Sequence, residues 1–250
     1  FYYEWTPVNR RVPRGVVQIV HGIGEHAKRY EDFAKALNAA SYIVYADDHR
    51  GHGQTGLRQT QGDLSKMGKL GPGGWDATLA EIRALTKIIK EKHPDLPLIL
   101  IGHSWGSFMT QDILGIDSTP YDAVMLSGSA FRTLTGLNSG PLNKKYDKHP
   151  NATGFEWLSR DAKVAKAFLE DELTFYADVM KKFGLKDGLR FFGKPKKPAT
   201  DIPMLIAAGT EDPVGGAKSA TKLADYYRNK YLSNVTLKLY ADARHEIFNE

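Results

Sequence analysis

One serine stands in a pattern that favours nucleophilic chemistry. Residues 102–106 read Gly-His-Ser-Trp-Gly. In a Gly-x-Ser-x-Gly turn between a strand and a helix, the two glycines permit the close backbone approach that holds the central serine exposed. The preceding run 98–101, Leu-Ile-Leu-Ile, is typical of a strand buried on both faces, and apolar residues recur at helical spacing after the turn. Ser104 is therefore the candidate nucleophile.

A serine hydroxyl needs a base within hydrogen-bond reach and a third group that orients the base. In an α/β sheet the reacting groups lie just beyond the carboxyl ends of the strands. His245 follows the last strand-like run and Asp212 follows the run before it, so they are the predicted base and acid. A helix N-cap is the alternative role for Asp212. The order Ser104, Asp212, His245 is typical of this architecture.

Four other histidines lie near predicted strand ends. His21 fits a role in shaping the backbone, and His103, inside the turn, is expected to point away from the Ser104 side chain. His49 and His52 are expected to hold loops together and remain the alternative bases. No two histidines are spaced along a helix face, together with a carboxylate, as metal ligands would be. We therefore predict no metal and no cofactor.

The oxyanion of a tetrahedral intermediate needs two preorganised donors. The backbone N–H of Trp105, at the start of the helix after Ser104, is the first candidate. The second is the N–H of Ile23, because the sequence His-Gly-Ile-Gly at 21–24 keeps the backbone bare just after a strand-like run.

Strand-like and helix-like runs alternate up to residue 130 and resume at 203, which predicts a mostly parallel sheet flanked by helices. Residues 131–200 lack a strand-like run and indicate an inserted, mainly helical cap, so that 1–130 and 201–250 form the core domain. The predicted strands are 16–20, 42–46, 98–101, 123–126, 203–208 and 235–240, with β-like stretches at 1–7 and from 12 joined by a turn at 9–11. The main predicted helices cover 25–40, 75–92, 161–183 and 217–231.

The helix predicted at 161–183 carries more apolar residues than one buried stripe needs. Part of this surface, including Phe168 and Phe175, is predicted to line an acyl or aryl pocket above Ser104. The alternative is that all of it packs on the sheet domain.

Composition narrows the function classes. A chain of 250 residues with 42% hydrophobic and 25% charged residues is typical of a soluble globular protein, and neither a bilayer-spanning run nor a signal-peptide pattern is visible. The absence of cysteine excludes disulfides and a cysteine nucleophile, and favours a reducing, cytoplasmic setting.

The net charge is +5, but the basic residues are spread along the chain and are not interleaved with aromatic residues. This pattern argues against a nucleic-acid-binding protein. The basic run 194–198 is interpreted as a proline-stiffened connection, with attraction of anionic lipid or product as the alternative.

Several motifs together resemble one known family. They are similar to motifs of the monoacylglycerol lipase and lysophospholipase branch of the α/β-hydrolases. The motifs lie at 21–26 with Arg29 and Tyr30, at 48–53, at 102–106 and at 155–161. The resemblance covers nearly the whole chain and implies the α/β-hydrolase fold, the same triad and oxyanion donors, and a Glu25 that faces the alcohol part of the ester. Two departures stand out: Trp105 replaces a smaller or more flexible residue such as Met, and the family would continue beyond residue 250 into a final helix.

These features together predict a serine hydrolase that cleaves small-molecule carboxylic esters through an acyl-enzyme, without stable membrane insertion. An aryl or feruloyl esterase and an acyltransferase with the same triad are alternatives. A ligand-binding protein that kept the fold without turnover is an alternative of another class. The oligomeric state stays open.

Overall fold

The computed structural model describes residues 1–8, 12–138, 140–148 and 150–250, which form a sheet of seven strands in the order β1-β3-β2-β4-β5-β6-β7. β1 runs antiparallel to β3, and the other neighbouring pairs are parallel. The predicted turn at 9–11 lies outside the described residues. The strands are β1 (Tyr2–Trp5), β2 (Gly15–Val20), β3 (Tyr42–Asp47), β4 (Leu98–His103), β5 (Ala123–Ser127), β6 (Met204–Gly209) and β7 (Val235–Tyr240).

Helices cover both faces of this sheet and bury its central strands. The described α-helices are α1 (Glu31–Ala39), α2 (Gly53–Gln59), α3 (Gly74–Lys92), α4 (Trp105–Ile116), α5 (Ala162–Glu170), α6 (Val179–Gly188) and α7 (Gly216–Lys230). The larger apolar core includes residues of α3, α4 and α7, and the smaller one lies beside α1. All of β2 is buried, as expected for a strand with helices on both sides. The predicted mostly parallel sheet is confirmed.

A buried glutamine shows how the central layer tolerates a polar group. Gln18 of β2 donates from Nε2 to the Ile82 carbonyl oxygen at 3.0 Å and accepts a hydrogen bond from Thr86 Oγ1 at 2.7 Å. Both partners belong to α3. Because its donor and acceptor are paired, Gln18 ties α3 to the sheet without the cost of a buried unsatisfied group.

The helix predicted at 25–40 was wrong in its first turns. His26 has an extended backbone, a 3₁₀ turn follows at Ala27–Tyr30, and α1 begins only at Glu31. The reason is the side chain of Glu25, which accepts a hydrogen bond from the Gly22 backbone N–H at 2.7 Å and holds this stretch as a loop.

The single helix predicted at 161–183 is two helices, α5 and α6, separated by 171–178. Asp171 ends α5 with an extended backbone and accepts a hydrogen bond from the Leu173 N–H. The Phe175 N–H then donates to the Gly24 carbonyl oxygen at 3.0 Å. Contacts with the loop after β2 therefore override the helical periodicity of this stretch.

The segment between β5 and β6, predicted from the sequence to contain an inserted cap at 131–200, is joined to α4 by a buried ion pair. Arg132 donates from Nη1 to Asp112 Oδ1 of α4 at 2.9 Å and to the Phe108 carbonyl oxygen at 3.1 Å. Its Nε donates to the Phe191 carbonyl oxygen at 3.3 Å. One guanidinium thus links the start of the inserted segment, its end and α4.

The close packing of α4 on β2 generates a stability prediction. A methyl group at Gly106 would lie 2.5 Å from the His21 carbonyl oxygen and nearer still to that of Val20. We expect Gly106→Ala to lower the free energy of unfolding by about 1–3 kcal/mol, because both neighbours are backbone. Urea unfolding followed by tryptophan fluorescence measures this.

Gly62→Ala is the comparison for this variant. Gly62 has a φ of +87°, and a methyl group added there would meet none of the described residues within 4 Å apart from its chain neighbours. The substitution Gly62→Ala is therefore disfavoured only by the positive φ of this residue, and not by a steric clash. The unfolding m-value and native fluorescence of this variant should match those of the wild type. A Gly106→Ala protein as stable as the wild type would contradict the close packing.

Candidate active site

Ser104 sits in a strained turn between β4 and α4. Its backbone has φ 53° and ψ −124°, a conformation that an L-residue keeps only when its surroundings enforce it. The Ser104 N–H donates to the Ser127 carbonyl oxygen at 2.9 Å. A side chain at Gly102 would meet the Gly106 carbonyl oxygen at 2.7 Å and come closer still to Thr110. The sequence therefore folds here only with glycine on each side of the serine.

Asp212 and His245 come together from the ends of β6 and β7. The Nδ1–H of His245 donates to both carboxylate oxygens of Asp212, each at 3.0 Å. Asp212 Oδ1 also accepts a hydrogen bond from the Val214 N–H at 2.8 Å, which fixes the carboxylate. Because Nδ1 carries the proton, the lone pair of the neutral ring is on Nε2. This nitrogen is buried and has no hydrogen-bond partner among the residues that the structure describes.

The pKa of His245 reflects two opposing effects. Burial is the larger single effect and disfavours the charged ring. The charge of Asp212 and its hydrogen bond, with the charges of Glu246 and Glu25, outweigh burial and raise the pKa above its ordinary value. The side chain of His245 therefore binds a proton more readily than a free imidazole does.

The loop after β2 passes directly over Ser104. A methyl group at Gly22 would lie 3.0 Å from Ser104 Cβ and 3.5 Å from Oγ, so Gly22 borders the Ser104 side chain. His21 Nε2 accepts a hydrogen bond from the His49 N–H at 3.0 Å, and Nδ1 donates to the Gly22 carbonyl oxygen at 2.7 Å. Burial and the neighbouring histidines hold the pKa of His21 well below its usual value, which keeps this bridging ring neutral.

The backbone N–H of Trp105 belongs to the first turn of α4, where helical N–H groups have no intrahelical acceptor. The loop that carries Ile23 and the helix start that carries Trp105 both lie next to Ser104, and their N–H groups remain the predicted donors. The arrangement provides a hydroxyl, an imidazole with a free lone pair and a carboxylate at one edge of the sheet.

Comparison with known proteins identifies the family. A family model described as Hydrolase_4, serine aminopeptidase, S33, matches residues 11–250. The chain is 32% identical to a monoacylglycerol lipase of Mycolicibacterium smegmatis, over all of this chain and 86% of that protein. It is 26% identical to a monoglyceride lipase of Mus musculus, over all of this chain and 80% of that protein. The chain belongs to this family of α/β-hydrolases.

A solved structure shows the same fold. The carboxyl esterase from Bacillus coagulans superposes with a TM-score of 0.84 at 24% identity, over all of this chain and 87% of that one. The family resemblance and the α/β-hydrolase fold predicted from the motifs are confirmed.

In this α/β-hydrolase a buried charge network lies behind the site. Glu25 Oε1 accepts hydrogen bonds from the Gly22 N–H and from the hydroxyl of Tyr30, and Oε2 accepts from Arg29 at 2.8 Å. Arg29 also donates to both carboxylate oxygens of Glu246, at 2.7 and 2.9 Å. The carboxylate of Glu25 is therefore turned inward. The family resemblance had instead implied that it faces the alcohol part of the ester.

The two carboxylates of this network have opposite pKa shifts. Burial raises the pKa of Glu25, and Arg29 only partly offsets this. Burial also acts on Glu246, but the two hydrogen bonds and the charge of Arg29 outweigh it and lower the pKa of Glu246. Arg29 thus joins the loop of Gly22 to the residue that follows His245.

The two aromatic residues predicted to contact substrate lie in different surroundings. Phe168 of α5 is buried, with its ring 4.5 Å from that of Phe155 and 4.7 Å from the guanidinium carbon of Arg29. The ring of Phe175 lies 5.1 Å from that of His52 and close to Lys182. Phe175 is thus part of the packing around the loop after β3, and Phe168 covers the buried charge network.

The alternative bases are engaged elsewhere in the fold. His49 stacks on His21 at 3.8 Å and pairs through Nδ1 with Asp47 at 2.8 Å. His52 is buried, bonds through Nδ1 to the Arg50 carbonyl oxygen, and burial lowers its pKa to about 3. Both contacts agree with the expected loop-holding roles.

His103 lies behind His245 in the same histidine-rich region. Its ring centroid is 4.7 Å from that of His245, and its Nδ1 is 3.1 Å from Ser127 Oγ.

The described residues contain no cluster of three or more histidines and carboxylates arranged to hold a metal ion. Within the same ranges, the helices are too short or too polar to cross a bilayer.

Arg29, Glu246 and Trp157 lie at the candidate site, but sequence analysis assigned them no role there, although Arg29 was among the residues that carried the family resemblance. The ring of Trp157 lies 4.9 Å from that of His245. Glu25 and Arg29 have opposite charges four residues apart, a spacing that indicates an ion pair on a helix, but no local signal links Arg29 to Glu246. Trp157 lay in the segment 155–161 that carried the family resemblance, without a reason to place it beside the histidine.

We expect Arg29→Met to lower the free energy of unfolding by about 3–5 kcal/mol at pH 7, because it leaves two buried carboxylates without their shared cation. Urea unfolding between pH 5 and 8 measures this. The loss should shrink towards acid pH, where protonation of Glu25 and Glu246 removes the repulsion.

The matched control is Arg228→Met, which removes an exposed arginine paired with Asp225 at 2.7 Å. It should cost about 1 kcal/mol or less. Equal losses in the two variants would show that the buried network has no special effect on stability.

Proposed function

We propose that this chain hydrolyses monoacylglycerols through an acyl-enzyme formed on Ser104. The chain is a carboxylic ester hydrolase by its family, and relatives that match it along its whole length are monoacylglycerol and monoglyceride lipases. The observation that carries the residue assignment is the hydrogen bond of His245 Nδ1 to Asp212, which leaves the lone pair of Nε2 free to accept a proton. The strained backbone of Ser104 supports its part in the assignment.

In the proposed acylation, His245 Nε2 removes the Ser104 hydroxyl proton while Oγ attacks the ester carbonyl carbon. The carbonyl oxygen becomes an oxyanion that accepts hydrogen bonds from the N–H groups of Ile23 and Trp105. Collapse of this intermediate breaks the bond to the alcohol oxygen, which takes the proton from Nε2. A water molecule then repeats the sequence on the acyl-enzyme, releasing the acid and restoring Ser104.

Asp212 supports both halves of the proposed reaction. Its carboxylate holds the proton on Nδ1, so that Nε2 faces the serine as an acceptor, and its charge stabilises the imidazolium that forms during each transfer. The raised pKa of His245 has the same origin.

We further propose that Glu25 is a positioning residue. By accepting the Gly22 N–H it sets the turn that carries the Ile23 N–H, and through Arg29 it couples this turn to Glu246. The inserted segment is proposed to act as the cap of the site. Phe175 is its proposed substrate contact, and Phe168 holds the cap on Arg29.

The comparisons do not favour the aryl or feruloyl esterase, the acyltransferase or the non-catalytic binding protein considered from the sequence. A small-molecule ester is the partner consistent with the relatives. The cytoplasmic setting stays a prediction from the absence of cysteine.

We expect Ser104→Ala to lower kcat on a simple ester by about 10⁴-fold or more, because alanine removes the nucleophile and leaves the oxyanion donors. Hydrolysis of p-nitrophenyl acetate by freshly purified protein measures this, with the unfolding midpoint as a check on the fold. Retention of more than a tenth of the activity would exclude Ser104 as the nucleophile.

The pH profile tests His245. The base must be neutral to act and its pKa is raised, so kcat/KM should fall on acidification with a midpoint above the ordinary imidazole value of about 6.5. Asp212→Asn removes the charge that raises the pKa, and should lower kcat about 10⁴-fold and move the residual midpoint to lower pH. A wild-type profile that stays flat down to pH 4, in protein that remains folded, would require another base.

A further inference from the structure

The two sides of Ser104 are lined by different aromatic rings. The ring of His245 contacts those of His103 and Trp157, at 4.7 and 4.9 Å. The ring of Trp105 contacts a separate set, which consists of His49, His52, Trp75 and Phe183 at 4.9 to 5.8 Å. The two rings thus belong to separate packing groups, here called the histidine side and the tryptophan side.

The proposed chemistry assigns one part of the ester to each side. The leaving alcohol must face His245, because Nε2 returns the proton to the alcohol oxygen. The oxyanion points at the N–H groups of Ile23 and Trp105. The remaining substituent of the tetrahedral carbon is the acyl chain, which must point away from His245. Trp105 lies on that side of the sheet, because its ring packs on His49 and His52 after β3, whereas His245 follows β7 on the other side of β4.

The tryptophan side is filled by four rings, here called the Trp105 cluster: Trp105, His52, Phe175 and Phe183. Trp105 has no exposed surface. His52 stacks on it at 5.3 Å and is itself covered by Phe175 at 5.1 Å. Phe183 of α6 closes the cluster 4.9 Å from Trp105.

Trp105 is also supported from the core side. The ring of Trp75 lies 5.8 Å away at a steep angle, and the indole N–H of Trp75 donates to Asp112 of α4 at 3.0 Å. Asp112 is in turn paired with Arg132. An indole held between such partners has few conformations to adopt.

We propose that the Trp105 cluster restricts the acyl part of the substrate to short chains, from acetyl to butyryl. The inference rests on the proposed function and narrows its substrate class. A longer chain must displace rings that are already in contact, and forcing extra methylenes into a packed region is unfavourable.

An acyl-length series on the intact chain tests this. Glycerol monoesters and p-nitrophenyl esters from acetyl to decanoyl are compared by kcat/KM, below the concentration at which the long esters form micelles. For the wild type, kcat/KM should be highest at butyryl or shorter and fall about tenfold or more by octanoyl.

Trp105→Met should reverse that fall, because it opens the acyl side and leaves the backbone N–H in place. Each added methylene should then raise kcat/KM by up to about fourfold until the space is full. Phe183→Leu should also move the maximum of kcat/KM to longer acyl chains, by a smaller amount. If Trp105→Met does not fold, the test is made with Phe183→Leu.

Trp5→Met is the matched control. Trp5 stacks on Tyr3 in β1, at the edge of the sheet, and its substitution should leave the length profile unchanged. A second control varies the alcohol of an acetyl ester: the rank order of alcohols should be the same in the wild type and Trp105→Met, which separates a wider acyl side from a generally loosened site.

Two results would overturn the inference: efficient cleavage of decanoyl esters by the wild type, or a length profile that neither Trp105→Met nor Phe183→Leu alters. Absence of hydrolysis of every ester, acetyl included, would overturn the proposed function and the inference with it. The two failures are therefore distinguished in one set of measurements.

Discussion

The close approach of α4 to the end of β2 is the constraint on which the site depends. At Gly106 the helix lies against the carbonyl oxygens of Val20 and His21 with no room for a side chain. This contact puts the first turn of α4, Ser104 and the loop after β2 within one small volume. The strained backbone of Ser104 persists because the residues on both sides of it are held by neighbouring main chain.

A second interaction couples the two loops that border the serine. Arg29 binds Glu25 behind the loop after β2 and Glu246 next to His245. A buried ion network of this kind contributes little net stability compared with apolar packing, but the loss of one member is costly. In this molecule it ties the loop of Gly22 to the segment of His245, which carry the proposed oxyanion donor Ile23 and the proposed base.

The aromatic packing around Trp105 bears on the proposed acyl selectivity and leaves the proposed reacting groups unchanged. The backbone N–H of residue 105 is available whatever its side chain, so the oxyanion geometry tolerates an indole. In the proposed substrate complex the indole lies on the acyl side of the carbonyl carbon. In addition, the break between α5 and α6 brings Phe175 onto His52, so the inserted segment completes this packing from above.

Local pattern was sufficient to predict the strand, turn and helix around Ser104, the parallel sheet, and Asp212 and His245 at the ends of successive strands. Burial on both faces, glycine sterics and helical spacing are properties of neighbouring residues, and they can be read along the chain. The tertiary structure alone decided the rest. Glu25 turned inward, Arg29 met Glu246, and residues 171–178 left the helix because their partners lie far away in sequence, and a buried charge or backbone group takes whichever partner the fold brings to it.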